Sequence, residues 1–241
     1  MTFEMTSIEW MGIRIDEPVT VLTDLLVSAV CFFAYYKVAH HKEPHKLHSH
    51  LKYYFLSMGI ATTLGGIIGH GFLYALPYSG EWAVSPWKLP GWLVSMFSIT
   101  LIERASIHYS RPLIRRQEIF HFFAGLNIVE LITFVAITFT TLDFFYVEVH
   151  SAYGLLVVTS GFHGYIYLKT RAKGSKLALI AVGISAISAL VYMNEWGIHM
   201  WFNHFDVSHI FMALSAWFFY RSAMSMDKLV RVADKKRLEY A

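Results

Sequence analysis

Seven apolar stretches, separated by short segments that are basic only on alternate turns of the chain, restrict this protein more than any other feature. Of its 20 Lys and Arg, only Arg14 and Lys88 fall on one set of segments, and the other 18 fall on the opposite set. Basic residues stay on the cytoplasmic side of a membrane protein, so the split sets an orientation. The apolar stretches cover about 18–39, 51–77, 90–110, 118–140, 145–168, 177–200 and 206–226. A run of about 20 residues crosses the hydrocarbon core. The reading is an all-α polytopic membrane protein: one seven-transmembrane-helix bundle over 1–241, with an outer N-terminal segment 1–17 and a basic cytoplasmic tail 227–241.

Composition agrees. The chain is 56% hydrophobic and only 15% charged, against roughly 25% charged for soluble domains. The net charge of +3 sits beside helix ends, where it matches anionic headgroups rather than nucleic acid. All six prolines, Pro18, Pro44, Pro77, Pro86, Pro90 and Pro112, lie at or between the edges of the spans; inside, proline would free backbone groups that lipid cannot satisfy. Trp10, Trp82, Trp87, Trp92, Trp196 and Trp201 gather on the outer side as an interfacial belt. Cys31 is the only cysteine, so no intrachain disulfide forms. The acidic start of the chain predicts no cleaved signal peptide. Small residues in the second span (Gly59, Gly65, Gly66, Gly69, Gly71) and the sixth (Gly183, Ser185, Ala186, Ser188, Ala189) predict close helix contacts.

The 13 histidines sort into three groups. His40, His41, His45, His48 and His50 fall in the first cytoplasmic loop, as a solvated basic loop or a weak metal-binding tract. His108, His121 and His163 belong to the cytoplasmic half. His70, His150, His199, His204 and His209 belong to the outer half, with Asp24, Glu148, Glu195 and Asp206. Glu195 and His199 are spaced to share a helix face, as are Asp206 and His209. Glu130, with Asn127 on its face, lies deep in the fourth span, where a charge needs a partner or a proton. A polar cavity opening to the outer half explains the group.

Zn²⁺ takes imidazole nitrogen and carboxylate oxygen. His70, His209 and one or both of His204 and Asp206 are the expected ligands. Glu195 and Asp206 are the expected acid–base groups. Two other chemistries stay open. Paired His, His70 with His209 and His121 with His163, can ligate haem for electron transfer. Intramembrane acids and His also serve proton- or ion-coupled transport or sensing. A retinal protein is not expected, because 206–226 has no lysine for a Schiff base.

Two stretches, GGIIGHGFLYALPYSGEWAVSPWKLPGWLVSM (65–96) and NEWGIHMWFNHFDVSHIFMALSAW (194–217), resemble the superfamily of seven-helix membrane hydrolases that holds the alkaline ceramidases and the progestin and adipoQ receptors. Those proteins carry Ser-x-x-x-His in the second core helix, an acid before the third, and His-x-x-x-His at the start of the seventh. His70 matches the second-helix His, but Gly66 stands at the Ser position. Lys88 or Trp87 stands at the acid, and His209 matches the second His of the last helix with Phe205 at the first. The resemblance implies a zinc-dependent hydrolase that cleaves a lipid amide or ester, with membrane lipids as its surroundings.

Overall fold

In the computed structural model the described residues are 5–41, 46–77, 80, 84–114 and 116–226. The basic tail 227–241, together with Lys42, His45, Trp82 and Arg115, lies outside them. The chain is predominantly helical. Helix α1 is Pro18–Ala39, α2 is Lys46–Leu64, α3 is Leu89–Ser110 and α4 is Gln117–Thr141. Then come α5 Phe145–Ala152, α6 Ser160–Thr170, α7 Lys173–Met193 and α8 His204–Ala223. A π-helical segment, Tyr153–Thr159, joins α5 to α6 with helical backbone at both junctions, so the two form one rod. A second π-helical segment, Gly65–Gly71, prolongs α2.

Most boundaries follow local chemistry that a sequence exposes. Pro18 occupies the first turn of α1, where its missing N–H is no loss. Leu142 and Arg171 end α4 and α6 in the left-handed region. Asn203 caps α8 by accepting from Phe205 N at 2.8 Å, while Asp206 Oδ2 accepts from Asn203 N at 2.7 Å. That reciprocal pair is a capping box.

Three differences from the sequence reading matter. The N-terminal segment folds into a hairpin, β1 Ser7–Trp10 antiparallel to β2 Ile13–Asp16. Glu17 N–H then donates to Thr6 O at 2.8 Å, tying the hairpin to the start of α1. The second span leaves α-helical geometry at Gly65, since a glycine-rich run tolerates the wider π turn. The sixth span stops at Met193: Glu195 takes a positive φ of 51°, and the following turn closes through Phe202 N–H to His199 O at 2.8 Å. Glu195 and His199 therefore do not share a helix face.

Among the described residues, three helices, α1, α4 and α7, are long and apolar enough to cross a membrane, with mean hydropathies of 1.8, 2.0 and 2.0. The core runs between helices through Val27, Phe55, Ile102, Tyr109, Ile166 and Phe219. Small hydroxyls stitch it. Ser28 meets Thr62 at 2.8 Å, Ser185 meets Ser215 at 2.7 Å, and Ser188 donates to Ser208 O at 2.7 Å. Ser185 and Ser188 thus act at the α7–α8 contact, as their spacing predicts, whereas Gly183 has no atom near its Cβ position.

Candidate metal centre

One end of α1 is the foundation. Pro18 starts the helix, Glu17 precedes it, and Thr23 and Asp24 lie just over a turn further along. All three side chains are buried. The π segment Gly65–Gly71 packs against α1 here, and it comes close because Gly66 has no side chain. A Cβ at Gly66 would stand 2.8 Å from Asp24 Cβ. The π turn carries His70 to Glu17 and Asp24. From the other side α8 packs on α1 and brings in Asp206 and His209, one helical turn apart.

The result is an alternating chain of acids and imidazoles. His70 Nδ1 lies 2.7 Å from Glu17 Oε2. His70 Nε2 is 4.0 Å from Asp24 Oδ2, and His209 Nε2 is 3.5 Å from Asp24 Oδ1. His209 Nδ1 lies 3.1 Å from Thr23 Oγ, which donates to Asp206 Oδ1 at 3.2 Å. The two imidazole rings stand nearly perpendicular with centroids 6.3 Å apart. His70 and His209, 139 positions apart in sequence, belong to one site.

With Glu17 ionised and the Thr23 proton on Asp206, the hydrogen bonds select one tautomer for each ring. Glu17 only accepts when ionised, so His70 Nδ1 carries the proton. A neutral His70 then turns the lone pair of Nε2 toward Asp24. When Thr23 donates to Asp206, His209 Nδ1–H donates to Thr23, and its Nε2 lone pair also faces Asp24. Two lone pairs directed at one carboxylate repel unless positive charge lies among them. Outer partners that fix the Nδ1 side and leave Nε2 for a metal are how ligating His is normally oriented.

The predicted residues divide accordingly. His70 and His209 come together. Asp206 joins them as a positioning residue: one oxygen caps α8 and the other holds Thr23. The donor beside the two imidazoles is Asp24, whereas His204 stacks against Phe205 and Tyr192 with centroids 4.3 and 5.8 Å away. Glu195 is exposed on the turn after α7. Glu17 and Thr23 escaped the sequence reading. Glu17 belongs to the acidic start of the chain, which carries no spacing signal, and a threonine in an apolar run carries none of its own. Lys88, beside α3, borders this end; burial pushes its ammonium down to about 7, with Glu17 pulling it back up.

A second polar cluster lies elsewhere in the bundle. Among the described residues, Glu103, Glu130 and His150 are the group whose ligand atoms all fall within 4.8 Å of one another. Asn127 donates to Glu103 Oε2 at 3.0 Å, and the Asn127–Glu130 face is turned into the bundle. Glu103 was not foreseen.

The profile of a family described as a family of unknown function (DUF6962) matches residues 19–228. No curated protein and no solved structure matches the chain.

Proposed function

We propose, for this chain, which belongs to the DUF6962 family, that it is a seven-span integral membrane protein, N-terminus outside, whose His70–Asp24–His209 cluster is a zinc centre for hydrolysis of a lipid amide or ester. The membrane half rests on the 18:2 division of basic residues and on large apolar side chains exposed along the rods, such as Leu22, Ile132, Phe139, Leu168 and Met193. Seven spans follow from counting α5, its π segment and α6 as one rod.

One observation carries the chemical half: two imidazoles, each anchored through Nδ1, turn their Nε2 atoms to the two oxygens of one carboxylate. Imidazole nitrogen with a carboxylate suits zinc, and three protein donors leave a position open. His70 Nε2, His209 Nε2 and Asp24 would hold the ion. Bound zinc supplies Lewis acidity. Glu17 and the Thr23–Asp206 pair keep both rings in register and take up positive charge at Nδ1. The hydrolytic half draws on the resemblance of 65–96 and 194–217 to the ceramidase superfamily. Haem is less well supported, because Asp24 is packed against both imidazoles.

The test is elemental analysis and a visible spectrum of the purified full chain, followed by turnover of fluorescent ceramide and ester lipids. The expected result is one equivalent of zinc fewer in His209→Ala than in the parent, no Soret band, and lipid cleavage that disappears with that equivalent. A Soret band, or zinc content unchanged in a His70→Ala, His209→Ala variant, would overturn the reading. Asn substitutions of His40, His41 and His45 belong in every arm, to remove adventitious binding.

A further inference from the structure

We infer that Glu103, Glu130 and His150 form a second metal centre, separate from the first, that takes one divalent first-row transition ion and clamps three rods together. The three residues come from α3, α4 and α5. None belongs to the helices that build the His70–His209 cluster.

Burial makes this group unusual. Glu103 and His150 are 0% exposed and Glu130 is 8% exposed. Both His150 ring nitrogens have no hydrogen-bond partner, while Glu103 and Glu130 face each other carboxyl to carboxyl, a pair that needs a shared proton or a cation. The nearest approach of His150 Nε2 to Glu130 Oε1 is 3.8 Å, beyond a hydrogen bond. Buried polar atoms are nearly always paired, and each unpaired one is costly. One ligand atom from each of the three side chains converges on one point, and a cation there would pair with all three.

The surroundings are shaped for it. Asn127 Nδ2 holds Glu103 Oε2, which leaves Oε1 turned to the cluster. The π segment Tyr153–Thr159 starts three residues after His150, and such segments recur at functional sites. Within it, Gly154 brings backbone directly against the carboxylate: a Cβ there would overlap both Glu103 Oε1 and Ile99 Cγ2.

Charge selects the ligand. Two carboxylates with a divalent ion are neutral, which an interior remote from water favours. A single proton shared by the carboxylates leaves one negative charge and gives His150 no partner. Imidazole with carboxylates suits zinc, manganese or ferrous ions. Calcium and magnesium prefer larger all-oxygen shells.

The experiment uses the full chain in detergent, with His40, His41 and His45 replaced by Asn, stripped with chelator and reloaded with Zn²⁺ or Co²⁺. Metal per chain is counted in the parent, His209→Ala, Glu130→Gln and His150→Asn proteins. Glu130→Gln and His150→Asn are each expected to lose one equivalent relative to the parent. His209→Ala should still hold one equivalent, with Co²⁺ d–d absorption that vanishes when His150→Asn is added. Loss in His209→Ala speaks only to the first centre, so the two readings fail separately. If a substitution prevents folding, the His209→Ala protein alone decides, because absence of its remaining equivalent overturns the second centre. Equal metal in the parent, Glu130→Gln and His150→Asn proteins also overturns it.

Discussion

Gly154→Ala tests how tightly the rod containing α5 and α6 is pressed onto α3. The added methyl would overlap two atoms at once, a carboxylate oxygen of Glu103 and a branched methyl of Ile99. Glu103 Oε1 ends a buried side chain that Asn127 holds in place, and Ile99 Cγ2 branches directly from a buried Cβ, so relief requires a backbone shift. Overpacking of this kind costs about 1–3 kcal/mol, and a double overlap against buried neighbours belongs in the upper half of that range. Alanine returns about 1 kcal/mol through helix propensity. The net expectation is a loss of about 1–2 kcal/mol, taking those two terms together. For a chain of this size that is a fall of about 2–8 °C in melting temperature. Gly161→Ala is the matched control, since it lies in the same rod and nothing stands within 4 Å of its Cβ position. It should be neutral or gain up to about 1 kcal/mol. The assay is thermal unfolding of both variants in one detergent, followed by near-UV dichroism and by aggregation onset. A melting temperature for Gly154→Ala equal to or above that of Gly161→Ala would refute the claimed contact.

Four further outcomes are expected. Gly66→Ala should push Asp24 away from the two imidazoles and lower zinc at the first centre, read by metal analysis, while the Glu103–Glu130–His150 centre keeps its ion. Asn203→Ala removes half of the capping box and should destabilise the protein by about 1 kcal/mol, measured as a melting shift that Asn203→Ser largely rescues. Lys88→Met should change the pH profile of stability. Because burial pushes Lys88 down to about 7, the folded chain binds fewer protons than the unfolded one from about pH 7 up to the ordinary lysine range near 10.4. Native stability therefore rises across that window, so the advantage of Lys88→Met should be largest at or below pH 7 and fade toward pH 10. Thr170→Cys and Asn194→Cys, exposed at opposite ends of the α6–α7 pair, should be labelled from opposite sides by an impermeant thiol reagent; only Asn194→Cys should react in intact cells.

The sequence by itself determined the rods. Apolar runs bounded by Pro18, Pro90 and the charged segments set seven helical stretches, and the structure keeps α1, α3 and α4 within a residue of the expected ends. These features were legible because a helix satisfies its backbone hydrogen bonds within its own segment, so composition along a short window is enough. The capping residues Asn203 and Asp206 acted locally too. The shared depth of His70 and His209 was readable for the same reason, since depth follows from position along a rod. Tertiary structure alone decided which side chain stands between them. Asp24 reaches both imidazoles only because the Gly66 backbone lets the second rod close on α1, and no local pattern encodes that approach. The N-terminal hairpin, held by Glu17 N–H to Thr6 O and by the Tyr74 hydroxyl on Arg14 O, was invisible because each strand is four residues long. Glu103 was missed because one acid in an apolar helix looks the same whether it faces a neighbour's carboxylate or water. The turn after Met193 broke the expected Glu195–His199 face, since a left-handed residue there stops the helix that their spacing assumed. Positions along a rod are local information, but rotation about its axis and the partners it meets depend on packing against rods distant in sequence.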